Sequence, residues 1–158
     1  MNKRLPQRSP DFPDSFYRVS VKGLCVEDGK LLLVHDMVDS DVYPEGKWEL
    51  PGGGLDFGET PQQTLRREIK EEMGLEATWV AEQPKFVWQA RKEGARGLEW
   101  YYVLLACYEI KLKDTDFTPS EECRAIQFYT KEELKTLNIA DQCRPIIDLF
   151  NPEGFKGV

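Results

Sequence analysis

Glu68, Glu71 and Glu72 lie within a segment, Pro61 to Met73, that reads as one helix. Successive residues of an α-helix advance by roughly 100°, so the three carboxylates share an arc of about that width. Leu65, Ile69 and Met73 recur at i, i+4 and i+8 on the adjoining arc, and Arg67 borders the acidic arc on its other side. Such a helix can bury one stripe and present three carboxylates beside it. Clustered carboxylates raise one another's pKa unless a cation compensates. Hard divalent cations such as Mg²⁺ and Mn²⁺ take oxygen ligands, and Mg²⁺ commonly combines a few carboxylates with substrate phosphates. By spacing alone, a solvated acidic face accounts for these residues at least as well as a metal site does.

Composition narrows the chemistry. The single histidine, His35, leaves no zinc site built on several histidines and no Ser-His-Asp or Cys-His arrangement; it reads as a polar residue ending a strand. Cys25, Cys107, Cys123 and Cys143 are widely separated, with no C-x-x-C pair, and read as reduced thiols. A net charge of -7, with no Lys/Arg stripe, argues against nucleic acid as a partner. A polyanionic substrate would need local neutralisation, which points to bound cations. No apolar run approaches the roughly 20 residues needed to span a bilayer. The polar, proline-rich start lacks the apolar stretch of a signal peptide, so no membrane partner and a cytoplasmic location are expected.

The elements that must position the acidic arc follow from turn and cap signals. Residues 1–14 read as an arm and residues 15–158 as a single domain. Residues 16–26 are strand-like, Asp28-Gly29 supplies a turn, and Lys30 to His35 returns as a hairpin partner. A polar loop from Asp36 to Lys47 leads into a short strand at Trp48 to Leu50. Pro51-Gly52-Gly53-Gly54 breaks regular structure. Thr60 then caps the helix, Pro61 suits its first position, Gln63 completes a capping box and Gly74 ends it. Two strands are expected near Ala77 to Ala90 and Glu99 to Ile110, with Arg91 to Gly97 as the tip between them. A strand at Ala125 to Tyr129 precedes a helix started by the Thr130/Glu133 capping pair, and a last amphipathic helix is expected over Ala140 to Phe150. Strands mixed with helices imply an α/β or α+β layer arrangement with a mixed sheet.

The wider context of the arc decides between its two readings. Gly53 is followed after five residues by Glu59, then after seven more by Arg67-Glu68-Ile69-Lys70-Glu71-Glu72-Met73-Gly74-Leu75. This resembles the Nudix (MutT-like) box, G-x5-E-x7-R-E-U-x-E-E-x-G-U with U aliphatic, at every fixed position, and Trp48-Glu49-Leu50-Pro51-Gly52 is similar to the family's approach to it. The resemblance covers roughly residues 16–150. It implies an α/β/α sandwich whose box forms a loop-helix-loop, and a Mg²⁺- or Mn²⁺-dependent pyrophosphohydrolase acting on a nucleoside diphosphate linked to another moiety. Carried over by position, Glu68, Glu71 and Glu72 would be metal ligands, with the Gly53 carbonyl as a further one. Glu59 and Arg67 would orient them, a role compatible with a plain salt bridge tying loop to helix. Family members often take a general base from a loop before the late strand. Aligning on Phe128 points to Glu122, with Glu121 close behind, and Glu72 is the alternative.

The substrate is less legible. The subgroup signatures expected for ADP-ribose, dinucleoside polyphosphates and NADH are not met, which leaves a small nucleotide or nucleotide sugar as the expectation. Trp88 and Tyr101 could stack on a base, and Arg91 could clamp phosphate, although strand aromatics are commonly core and a basic loop tip commonly solvated. A homodimer through paired edge strands is compatible with the pattern. The competing class is a catalytically silent nucleotide-binding module of the same fold, which would be expected to lose carboxylates that this chain keeps.

Overall fold

Alternation along the strands sends the apolar side chains to two opposite layers. In the computed structural model, residues 15–36, 46–93 and 100–155 are described, with only the backbone described for 15, 16, 36, 91–93, 100 and 101. Strand β1 (Ser15–Leu24) runs parallel to β8 (Trp100–Leu112) and antiparallel to β5 (Gly52–Gly54). The other edge of β8 takes β7 (Phe86–Glu93) and β6 (Ala77–Val80), both antiparallel. A second sheet joins β2 (Val26–Glu27), β3 (Lys30–Asp36), β4 (Trp48–Glu49) and β9 (Cys123–Tyr129) around β3. The hairpin between β2 and β3 turns on Asp28 and Gly29, at φ 49° and 74°. Two consecutive positive φ values are what a type I′ turn requires.

Val21, Tyr108 and Ile110 pack with Leu65, Ile69 and Met73 of helix α1 (Pro61–Met73) in one core. Val103, Leu105 and Cys107, the intervening residues of β8, face a second core with Leu134, Ile146 and Phe150. Strand β3 divides in the same way, Leu32 and Val34 to the first core, Leu31 and Leu33 to the second. The sheets are therefore sandwiched between α1 and the C-terminal helices α2 (Lys131–Leu134) and α3 (Ile146–Leu149), the mixed-sheet α/β/α architecture expected. All four cysteines are buried free thiols. Among the described residues no helix is long and apolar enough to cross a membrane.

Four expected elements differ. The 51–54 stretch, expected to break regular structure, carries the short strand β5 along β1, where Gly52 comes too close to the β1 backbone for a side chain. The single strand over Ala77 to Ala90 is two strands, β6 and β7. Between them the chain still follows β8, with the Ala81 amide donating to the Glu109 carbonyl at 2.9 Å and the Lys85 amide to that of Cys107 at 2.8 Å. Five residues, 81–85, stand against two of β8 between the Val80–Ile110 and Phe86–Cys107 pairs, so the chain bulges out of the ladder, and Pro84, which has no N–H to pair, sits in that bulge. Strand β7 continues to Glu93 rather than ending at Ala90, and the rest of the expected tip, 94–97, lies outside the described residues. The last helix is divided into a 3₁₀ turn (Asp141–Cys143) and α3, because Pro145 cannot donate a backbone hydrogen bond in the middle of a helix. Its apolar face survives the break, with Cys143, Ile146 and Phe150 all buried. The arm 1–14 and residues 37–45 of the polar loop lie outside the described residues.

Candidate active site

The glycine turn and the helix after it are held against each other by contacts that larger residues would prevent. Gly52 sits at φ 130°, and a Cβ there would fall 2.1 Å from the Val21 carbonyl oxygen. Gly53 is pressed against α1: a Cβ would lie 2.5 Å from Cδ of Glu68. The Glu68 carboxylate thus occupies the space that the missing side chain leaves. Helix α1 begins and ends as its sequence signals require. The Thr60 hydroxyl accepts from the Gln63 amide at 3.2 Å, the Gln63 side chain accepts from the Thr60 amide at 2.9 Å, and the Gly74 cap is left-handed.

Arg67 organises the acidic arc. Its Nε donates to Glu59 at 2.9 and 3.2 Å, and its Nη1 donates to Glu68 at 2.9 Å and to Glu71 at 3.2 Å. Nη2 makes no aligned hydrogen bond among the described residues, though the Asp56 carboxylate stands 3.2 Å away. The hydrogen bond to Glu59, then those to Glu68, raise the Arg67 pKa further above its ordinary range. Glu59 is itself fixed by the buried Thr64, whose hydroxyl donates to it at 3.2 Å. One guanidinium therefore links the loop acid to two acids of the arc and fixes their spacing.

Glu72 points the other way, inward. Its Oε2 accepts from the Gly52 amide at 3.5 Å, and beyond the turn stand Lys22, 3% exposed, and Glu49. Burial pushes the Glu72 carboxyl up to about 8, a rise that Lys22 opposes and Glu49 adds to. The folded, metal-free protein therefore keeps a proton on Glu72 between its ordinary pKa and about pH 8, and a cation that took Glu72 as a ligand would have to displace it. Mg²⁺ affinity is expected to rise by about tenfold per pH unit below pH 8 and to level off above it, with one proton released per ion bound. Calorimetric titration at pH 6.5 to 9 in buffers of different ionisation enthalpy measures both quantities. A flat affinity across that range would remove Glu72 from the ligand set.

The arc opens onto a shallow depression of about 240 Å³, walled by Glu71 and Glu72 of α1 and by Asp116, Thr118 and Ser120 of the loop before β9. The loop expected to bring a general base does reach the arc. The acid it brings to the wall is Asp116, which no spacing in the sequence singles out. Glu122 lies at the loop's exposed end, its amide donating to the Ser120 hydroxyl at 3.3 Å. Trp88 is half-buried against the second core and donates its indole N–H to the Gln142 carbonyl at 2.8 Å. The backbones of Arg91 and Tyr101 are placed in the β7–β8 ladder, opposite Tyr102 and Lys92, and their side chains lie outside the described residues. Sequence reasoning also missed Lys22 and Glu49. The available signal was a lysine two residues from the apolar end of β1, between Ser20 and Leu24 on the face that turns inward.

The donor set suits a hard divalent cation: carboxylate oxygens on one arc, beside a backbone that glycine leaves open. Among the described residues no three acidic, histidine or cysteine side chains already converge as a cage. Arg67 holds Glu68 and Glu71 while Glu72 faces Gly52, so small side-chain rotations of α1 are needed to gather them.

Residues 16–150 match the NUDIX domain family. Over 133 residues the chain is 34% identical to the nucleoside triphosphatase NudI of Enterobacter sp. (strain 638), spanning 80% of this chain and 92% of that protein. A shorter stretch of 57 residues, 36% of this chain and 40% of the relative, is 46% identical to NudI of Escherichia coli O139:H28. Among solved structures, the E. coli ORF135 protein superposes with a TM-score of 0.66 at 25% identity, over 84% of this chain and 86% of that one. A UDP-X diphosphatase superposes with a TM-score of 0.64 at 23% identity, over 94% and 68%, a likeness of fold. The chain belongs to the Nudix hydrolases.

Proposed function

We propose that the protein hydrolyses a phosphoanhydride bond in a nucleoside diphosphate linked to another moiety, a nucleotide or nucleotide sugar, with Mg²⁺ or Mn²⁺. The observation that carries this reading is the arginine-ordered carboxylate arc beside the glycine turn, facing an open depression. The names of a relative, nucleoside triphosphatase, and of a fold neighbour, UDP-X diphosphatase, both fall within that substrate class.

Glu68, Glu71 and Glu72 would hold the cation, with the Gly53 carbonyl as a further donor. The bound ion would supply charge neutralisation and Lewis acidity at the phosphates. Arg67, itself held by Glu59, keeps Glu68 and Glu71 in register with the turn, and Glu72 would swing from the Gly52 amide to join them. A proton from the attacking water would pass to Glu122, with Glu72 as the alternative acceptor. Arg91 and Tyr101 are the proposed contacts to phosphate and base; Trp88 packs against the second core, away from the arc, with its indole N–H on the Gln142 carbonyl, and is not among them.

The test is a phosphate-release screen over nucleoside triphosphates, nucleotide sugars and dinucleoside polyphosphates, with and without Mg²⁺. A Mg²⁺-dependent product is expected in at least one class. Millimolar Mg²⁺ is also expected to raise the thermal midpoint, since a preformed site binds only the folded state. Folded protein that releases nothing with either Mg²⁺ or Mn²⁺, yet binds a nucleotide, would instead establish a silent binding module.

A further inference from the structure

Lys22 lies in the middle of β1, 3% exposed, on the face of the sheet opposite α1. Its register partners are Gly52 on one side and Cys107 on the other. Its two polar contacts are both long: Nζ donates to the Gly52 carbonyl at 3.4 Å and stands 4.0 Å from Glu49 Oε1. Burial alone would favour the neutral amine, but the acids around it, Glu49 foremost, more than offset this and hold the Lys22 pKa above its ordinary value, so the side chain stays an ammonium. A buried ammonium tied to specific partners by charge can hold those partners in place.

The partners held here follow from what the ammonium touches. The two peptide groups flanking Gly52 are pinned from opposite faces of the sheet. Its carbonyl, in the peptide leading to Gly53, takes the Lys22 N–H, and its amide, in the peptide from Pro51, donates to Glu72 of the box helix at 3.5 Å. No side chain can stand between them, since a Cβ at Gly52 would meet the Val21 carbonyl. Glu49, immediately before the turn, is the third member, so one cation joins β1, the end of β4, the turn and, through the turn, α1.

We propose that Lys22 is a positioning residue of this site: its buried ammonium fixes the plane of the Gly52–Gly53 peptide and, with Glu49, holds the glycine turn against the carboxylate helix. It touches neither substrate nor the reacting atoms. The inference rests on the proposed function for its kinetic consequence and on geometry alone for its structural one. It is specific to the charge and reach of this side chain, so arginine is expected to substitute for it and methionine is not.

The test compares Lys22→Met, Lys22→Arg and the double variant Lys22→Met/Glu49→Gln in full-length protein. The double variant removes both charges, so that a lone buried carboxylate cannot by itself explain the result. In metal-free protein, amide hydrogen exchange at Gly52 and Gly53 is expected to quicken at least about tenfold in Lys22→Met and in the double variant. Exchange is expected to stay near wild type in Lys22→Arg, and amides of the β3–β9 ladder to stay unchanged in all three. With Mg²⁺ and the substrate found above, kcat is expected to fall about tenfold or more with KM within about threefold, and arginine to restore it. Unchanged glycine exchange in either charge-free variant would overturn the proposal, as would arginine behaving like methionine. The exchange arm needs neither metal nor turnover, so a protein inactive on every substrate would overturn the proposed function and leave the positioning role to be decided by exchange.

Discussion

Glu71→Gln is expected to reduce kcat by a factor on the order of 10²–10³ while leaving the fold intact. Glu71 is the most exposed of the three box acids, its side chain 55% accessible, and its one described partner is the Arg67 Nη1 shared with Glu68. The amide retains an oxygen for that hydrogen bond and matches the carboxylate in shape. Surface changes of this kind usually alter stability by no more than about 0.5 kcal/mol. What is lost is one negative charge and, on the proposed function, one metal ligand, and both would matter only when a cation and a phosphate chain occupy the arc. The thermal midpoint of the metal-free variant should therefore match wild type, whereas its midpoint shift with Mg²⁺ should shrink. Glu132→Gln, on the far α2 and paired only with Lys135, serves as the control and should leave turnover unchanged. Near wild-type kcat in Glu71→Gln would overturn the placement of the metal on this arc.

The carboxylate arc and its pairing with Arg67 were legible in the sequence because a single local element carries them. Thr60, Pro61, Gln63 and Gly74 mark both ends of α1 by chemistry internal to a dozen residues, and the structure begins and ends the helix at those signals. Glu59 and Arg67 sit at fixed spacing along the same element, so their pairing needs no long-range fold to bring it about. The rest depended on tertiary contacts. Lys22 and Glu49 meet Glu72 only because β1, β4 and the turn converge, and no sequence period relates 22, 49 and 72. Asp116 reaches the depression through a loop whose path is set by Phe117 packing on the first core and by β9. Two errors of element had local causes that a pattern of apolar residues hides. The 81–85 bulge around Pro84 divides a strand, and Pro145, which removes one backbone donor, divides a helix, without disturbing which side chains are buried.

Gly52→Ala is the second change of large expected effect, and it separates steric from conformational demands on glycine. At φ 130° the turn lies outside the backbone range of residues with a side chain, and the new methyl would also fall 2.1 Å from the Val21 carbonyl oxygen and 3.0 Å from the Lys22 Cα. Neither atom belongs to a flexible side chain, so relief requires β5 to move away from β1. That movement breaks the Gly52 contacts to Glu72 and Lys22 together. A loss of about 2–4 kcal/mol is expected, a fall of roughly 5–15 °C in Tm for a chain of this size, with turnover reduced at least about 100-fold. Gly58→Ala provides the comparison. Gly58 also has a positive φ, 89°, but a Cβ there has nothing within 4 Å. It should lose only the conformational part, about 1–2 kcal/mol, and keep most of its activity. If the two variants lost stability and turnover equally, φ alone would set the requirement for glycine, and close packing of the turn against β1 would have no part in forming the site.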